Sequence, residues 1–190
     1  MSEHPPINSE REPTAERPRV WIASLADYND GRLHGEWVDA AVEGDELVAA
    51  AQAILASSPE PGAEEWAIFD YDNFGAYRVG EYEDLRHVAE VARGIAENGE
   101  AFAAYVELSG GRGDDLETGY VDAFVGYWQS KDAFLDELLA DFGIDDALAM
   151  GMPGWLLPHV SIDREGLLRD LLVDFHVEDV SDGGIYLFRL

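Results

Sequence analysis

The segment with the most chemical promise is Asp70-Tyr71-Asp72-Asn73-Phe74-Gly75, followed at the twelfth position by Glu81. Acids at the first, third and twelfth positions and glycine at the sixth follow the spacing of a calcium loop, where carboxylates and carbonyls wrap one hard cation. Phe74 occupies the fifth position and offers no oxygen. The preceding Trp66-Ala67-Ile68-Phe69 has the β-prone character of a strand, where a calcium loop needs an entering helix. The other reading is a strand end and a turn, with Phe74 and Tyr77 packing inward. The five histidines, His4, His34, His87, His159 and His176, do not pair at a metal-binding helical spacing, and neither HExxH nor GxSxG occurs. Gly110-Gly111-Arg112-Gly113 lacks both the lysine of a phosphate loop and the spacing of a dinucleotide loop. Adjacent acids such as Glu64-Glu65, Asp114-Asp115, Asp136-Glu137 and Asp145-Asp146 invite general acid–base chemistry. With 40 acidic residues in the chain, such neighbours arise from composition alone. The absence of cysteine removes disulfides, thiolate metal sites, Fe–S clusters and a cysteine nucleophile. The expectation is a protein that is not an enzyme and uses neither metal nor cofactor.

What remains is charge. The 190 residues carry 40 Asp+Glu against 12 Lys+Arg, a formal net charge of -28, yet 47% are hydrophobic, enough for a packed core. Such a surplus argues against direct binding to nucleic acid and against docking on anionic membranes. With no long apolar run and no signal-peptide core, the expected location is the cytoplasm. The acids are unevenly set. Between Glu83 and Glu97 they alternate with Arg86 and Arg93 at helical pair spacings. Between Glu100 and Asp146, 12 acids face two bases, Arg112 and Lys131. Asp132 and Asp136, like Glu137 and Asp141, stand four residues apart, where helical neighbours lie about 5–6 Å from each other and like charges repel by a few tenths of a kcal/mol. The candidate partner-binding carboxylates are therefore Asp114, Asp115, Glu117, Asp122, Asp132, Asp136, Glu137 and Asp141. A solvated acidic surface, adaptation to high salt and mimicry of nucleic acid all fit this pattern. Duplex DNA presents one charge per about 1.7 Å of axis, so a net -28 corresponds to about 48 Å of duplex and a dimer to about 95 Å.

The elements that must position these groups follow from periodicity and punctuation. Residues 1–19 hold four of the eight prolines and read as a disordered arm. Val20–Leu25, Leu33–Ala40 and Trp66–Tyr71 read as strands, with a helix over Asp45–Ala56. Helices are expected over Glu83–Glu97, Ala101–Leu108, Asp114–Trp128, Lys131–Phe142 and Ser161–Phe175, with Met150–Pro158 irregular. Ser181-Asp182-Gly183-Gly184 between Val177–Val180 and Ile185–Leu190 signals a terminal hairpin. The expected class is α+β in three small subdomains, 20–80, 81–147 and 148–190: an N-terminal ββαβ sheet, an acidic helical middle, and a C-terminal helix plus β-hairpin.

Several segments, in order, resemble the ArdA antirestriction family. Val20-Trp21-Ile22-Ala23-Ser24-Leu25-Ala26-Asp27-Tyr28-Asn29-Asp30-Gly31 is similar to its first strand and turn, and Gly35-Glu36-Trp37-Val38 to its second strand. Ile68–Gly75 with Gly80-Glu81-Tyr82-Glu83-Asp84-Leu85 resembles its central motif. Ile162-Asp163, Arg169-Asp170 and the last hairpin resemble its tail. The resemblance spans about residues 19–190 and leaves the arm outside. It places Asp70–Glu81 in structural terrain and removes the calcium reading. It implies an elongated three-part homodimer, shaped and charged like bent B-DNA. Such a dimer occupies the DNA-binding groove of type I restriction–modification enzymes without a cofactor or a reaction of its own. An acidic adaptor that sequesters another basic DNA-binding protein is the alternative at this stage.

Overall fold

Alternation along β1 (Arg19–Ser24) decides the first layer. Val20 and Ile22 are fully buried, while Trp21 points to the opposite face and meets the Trp37 ring edge-on at 5.9 Å. The computed structural model describes residues 16–111 and 115–189. Their elements fall into two compact units, one ending at Val121 and one beginning at Asp122.

In the first unit β1 is central, flanked antiparallel by β2 (Gly35–Asp39) and β3 (Trp66–Asp72), in the order β2-β1-β3. The three strands are those the sequence signals. A one-turn helix, α1 (Leu25–Asn29), adds to them: the Ser24 hydroxyl accepts from the Asp27 amide and starts the turn. α2 (Gly44–Ala56) opens on a reciprocal Glu43/Glu46 capping box and buries Leu47, Ala51 and Ile54 over the sheet. α3 (Leu85–Asn98) is capped by Asp84 and buries Leu85, Val88, Ala92 and Ile95, the four residues its period singles out. α4 (Glu100–Ser109) is buried at every position from Ala101 to Val106, so it is an interior helix, apolar on all sides. Gly94 makes that packing possible, because a Cβ there would sit 2.2 Å from the Phe102 ring.

α5 (Leu116–Ala123) ends well before Trp128. The sequence reads as a helix over Asp114–Trp128, but Phe124-Val125-Gly126-Tyr127-Trp128 forms β4 (Phe124–Trp128). Aromatic and β-branched side chains favour the pleated surface, and β4 pairs with a strand about sixty residues on, a contact that local periodicity cannot reveal. The remaining elements of the second unit are α6 (Lys131–Asp141), α7 (Ile144–Gly151), α8 (Arg164–Leu171), β5 (His176–Asp179) and β6 (Ile185–Phe188). Short 3-10 turns span Leu157–His159 and Leu172–Asp174. The expected terminal hairpin is present, but it belongs to a three-stranded sheet ordered β4-β6-β5. α7 runs into the stretch read as irregular. α8 is shorter than Ser161–Phe175 and is capped by Asp163, whose carboxylate accepts from the Gly166 amide, in place of Ser161. The core of this unit gathers Phe134, Ile185 and Leu187 with Trp128, Leu168 and Phe175 around them. The class is α+β, with strands first, helices in the middle and strands last, as expected.

Candidate functional site

The candidate carboxylates sit on α5, on α6 and immediately ahead of α5. Asp114 lies outside the described residues. The other seven, Asp115, Glu117, Asp122, Asp132, Asp136, Glu137 and Asp141, are all exposed. Asp115 and Glu117 belong to the unit ending at Val121, and the other five to the unit that follows. Asp115 accepts from the Thr118 amide at 3.0 Å and from the Thr118 hydroxyl at 2.6 Å, and these bonds hold its carboxyl below the usual carboxylate range. α5 tolerates Gly119 because Tyr105 needs that space: a Cβ would stand 2.2 Å from its hydroxyl. Tyr120 and the Tyr105 ring, 5.9 Å apart, fix the inner side of α5, so Glu117 and Asp122 are turned to solvent.

α6 carries four of the candidates in three turns. Ser130 starts it by accepting from the Ala133 amide at 3.1 Å. Phe134 and Leu135 are the buried side chains, which leaves the carboxylates outside. Two are partly neutralised from a distance in sequence: Arg164 reaches Asp136 at 2.8 Å and Asp132 at 3.5 Å. Glu137 accepts from the Trp128 indole N–H at 2.8 Å, which fixes the carboxylate without removing its charge. Asp122 and Asp141 lie in the last turns of their helices, and neither turn contains a basic residue. The carbonyl end of a helix disfavours a carboxylate by about 0.3–1 kcal/mol. These two acids therefore stand where helix stability alone would not place them. Asp145 and Asp146, exposed in the first turn of α7, extend the series at the favourable end.

Elsewhere several basic residues are paired within the first unit. Arg17 pairs with Asp39, Arg19 with Asp72, Arg86 with Asp45, and Arg32 with Asp27, Asp30 and Glu60. The most enclosed of these acids, Asp27, is fully buried and held down to about 2. The Ser58 hydroxyl contributes most to this, with Ser24 and Arg32 adding to it against the opposing effect of burial. Its partners are all satisfied, so it anchors α1 to the segment after α2. His34 has a similar role. Its Nε2 donates to the Ile54 carbonyl at 2.8 Å, and the Ser57 hydroxyl donates to the same oxygen at 2.9 Å. The same carbonyl, in the last turn of α2, also accepts from the Ser57 amide at 3.2 Å, and His34 Nε2 lies 3.1 Å from the Ser57 hydroxyl oxygen, so the ring and the serine together close the end of the helix. His87 lies 3.6 Å from Glu83, and His176 lies 3.2 Å from Glu178.

The calcium-like segment resolves as the alternative reading. Asp72 is held by Arg19, Asn73 and Gly75 have positive φ, and Phe74 and Tyr77 are buried, at 2% and 7% exposure. The backbone of Glu81 returns to accept from the Ile68 amide at 2.9 Å. Among the described residues no group of three His, Asp or Glu could hold a metal ion, and no helix is long and apolar enough to cross a membrane. Sequence reasoning missed Arg164 as the counter-charge of α6, because the pair joins residues 28 and 32 positions apart and nothing local signals it.

Among curated proteins none matches the chain. The family model described as antirestriction protein (ArdA) matches residues 20–186, nearly the whole of both units. With the acidic helices and nearly all of both sheets inside that match, the chain belongs to the ArdA antirestriction family.

Proposed function

We propose that this antirestriction protein acts as a DNA mimic that occupies the DNA-binding groove of type I restriction–modification enzymes, as a homodimer in the cytoplasm, without catalysing a reaction. The observation that carries the reading is the exposure of every described candidate carboxylate on and before α5 and α6, in a stretch of 12 acids and two bases. A cationic groove built for phosphates meets anionic oxygens on short, helix-mounted side chains, and the anions that occupied it are released. Mimicry of this kind requires no cofactor and no pocket. Asp114, Asp115, Glu117, Asp122, Asp132, Asp136, Glu137 and Asp141 are the phosphate-like groups, with Asp132 and Asp136 attenuated by Arg164.

The test is competition. A type I enzyme bound to labelled duplex is titrated with the protein at low and at moderate salt. Displacement at low salt that fades steeply as salt rises is expected. A duplex that stays bound at low salt and saturating protein overturns the reading for that enzyme. Capture of a different basic DNA-binding protein in its place would assign the acids to sequestration.

A further inference from the structure

On one face of the first sheet the strand register sets six side chains in two rows. Directly opposite residues of neighbouring antiparallel strands share a face. Asp39, Arg19 and Asp72 therefore form one row across β2, β1 and β3, and Trp37, Trp21 and Asp70 form the next. Val20 and Ile22 of β1 turn the other way and are fully buried. On the two-row face Arg19, Trp37 and Asp70 are exposed, and the other three are half-buried. The rows are joined by contact. The Arg19 guanidinium lies 4.8 Å over the Trp37 ring and reaches Asp72 at 2.9 Å, while the Trp37 ring meets that of Trp21 at 5.9 Å. Arg17 reaches Asp39 at 3.0 Å. Two of the three carboxylates thus hold a guanidinium of their own chain. The third, Asp70, accepts from the neighbouring Tyr71 amide through Oδ1 at 2.8 Å and pairs with no cation among the described residues.

Resting on the mimicry reading above, we infer that the Trp21–Asp70 corner of this face receives an arginine side chain of the restriction enzyme's DNA-binding groove. The chain displays the chemistry one row away. Arg19 is held by an indole, Trp37, and a carboxylate, Asp72, and Trp21 with Asp70 repeats that pair without the guanidinium. An indole face attracts a cation through its quadrupole. Cross-strand neighbours have Cβ atoms about 4.5–5.5 Å apart, so one planar group can lie on the ring and direct its N–H groups at the carboxylate. Charge selects the occupant. Asp39, Asp70 and Asp72 face Arg17 and Arg19, which leaves the surface one cation short of neutrality. Grooves that hold DNA present arginine and lysine to it. Lysine fits this corner less well, because its ammonium is compact, strongly hydrated and lacks the flat fork that stacks and bonds at once.

Two measurements test this, one of them without the enzyme. The indole N–H signals of the full chain are followed by heteronuclear NMR during titration with hexa-arginine or with hexa-lysine, and the signal missing from Trp21→Leu is that of Trp21. It should shift with hexa-arginine at concentrations at least about threefold below those hexa-lysine requires, and Asp70→Asn should abolish the difference. In the duplex competition assay at low salt, Asp70→Asn and Trp21→Leu should each weaken displacement about five- to tenfold. The double variant should lose no more than about tenfold, because both changes remove one contact. Asp70→Asn keeps the shape of an exposed side chain and carries the test should Trp21→Leu unfold. A Trp21 signal that ignores hexa-arginine, an equal response to both peptides, or unchanged displacement by Asp70→Asn each overturns the inference while the mimicry reading stands. A parent chain that displaces no duplex sinks the mimicry reading instead, and the peptide titration then decides by itself whether this face takes arginine.

Discussion

Asp27 shows how a strongly acidic chain keeps one carboxylate for itself. The side chain is fully buried yet ionised, because Ser58, Ser24 and Arg32 all direct hydrogen bonds at it. Its carboxyl titrates at about 2, below the usual value of 3.8, so the folded state binds this proton less readily than the unfolded chain does. The stabilisation is therefore fully present above the unfolded value and disappears as pH falls from there through the folded value. Thermal melting of Asp27→Asn between pH 2 and 6 should show lower stability than the parent at pH 6 and a gap that closes towards pH 2. A gap independent of pH would assign the residue a purely steric role. The Thr118 hydroxyl and amide likewise hold the Asp115 carboxyl below the usual carboxylate range, so the charge at the start of α5 persists to lower pH than that of an unperturbed aspartate.

Glycine at selected positions sets how closely the helices approach. Gly94 on α3 receives the Phe102 ring of α4, which is buried at 1% exposure. Gly94→Ala places a methyl inside that ring's space, and a cost of about 1–3 kcal/mol in denaturant unfolding is expected from the forced repacking. On α6 the logic is reversed, since its outer acids contribute little to the fold. Neutralising Asp132, Asp136, Glu137 and Asp141 together to Asn or Gln removes like-charge neighbours and a carboxylate at the carbonyl end, and also removes the partners of Arg164. These effects oppose each other, so stability should stay within about 1 kcal/mol of the parent. Inhibition of a type I enzyme at low salt should weaken at least about tenfold, with a shallower salt dependence. Unchanged inhibition would move the contact to other acids.

For the whole molecule, the unit ending at Val121 and the one after it are each acidic, and Arg17, Arg19, Arg32 and Arg86 of the first are already paired within it. Self-repulsion at net -28 opposes folding most strongly at low ionic strength, where the Debye length is about 30 Å, and falls as it shortens to about 10 Å at 0.1 M. The melting temperature should therefore rise between about 10 and about 100 mM salt, over which the Debye length shortens about threefold, while inhibition declines. If stability went on climbing steeply into molar KCl, adaptation to high salt would account for the composition better than mimicry does.

By itself the amino-acid sequence determined whatever depends on neighbours in the chain. The strands around Val20, Trp37 and Ile68, the helices read over Asp45–Ala56 and Lys131–Phe142, and the inward set Leu85, Val88, Ala92 and Ile95 follow from period and turn chemistry, and so do the family segments in their order. The charge and its concentration after Glu100 are legible in the same way, because composition needs no fold. Tertiary structure alone decided what joins distant residues. Phe124–Trp128 is a strand because β6 lies beside it, and Asp132 and Asp136 are part-neutralised because α8 brings Arg164 within reach. The run at 147–162 is exposed because no element among the described residues covers it, although its hydropathy would place it inside. The physical reason is common to all three: pairing, ion contact and burial are set by distance in space, and a hydrophobic or charged side chain specifies only that it needs a partner.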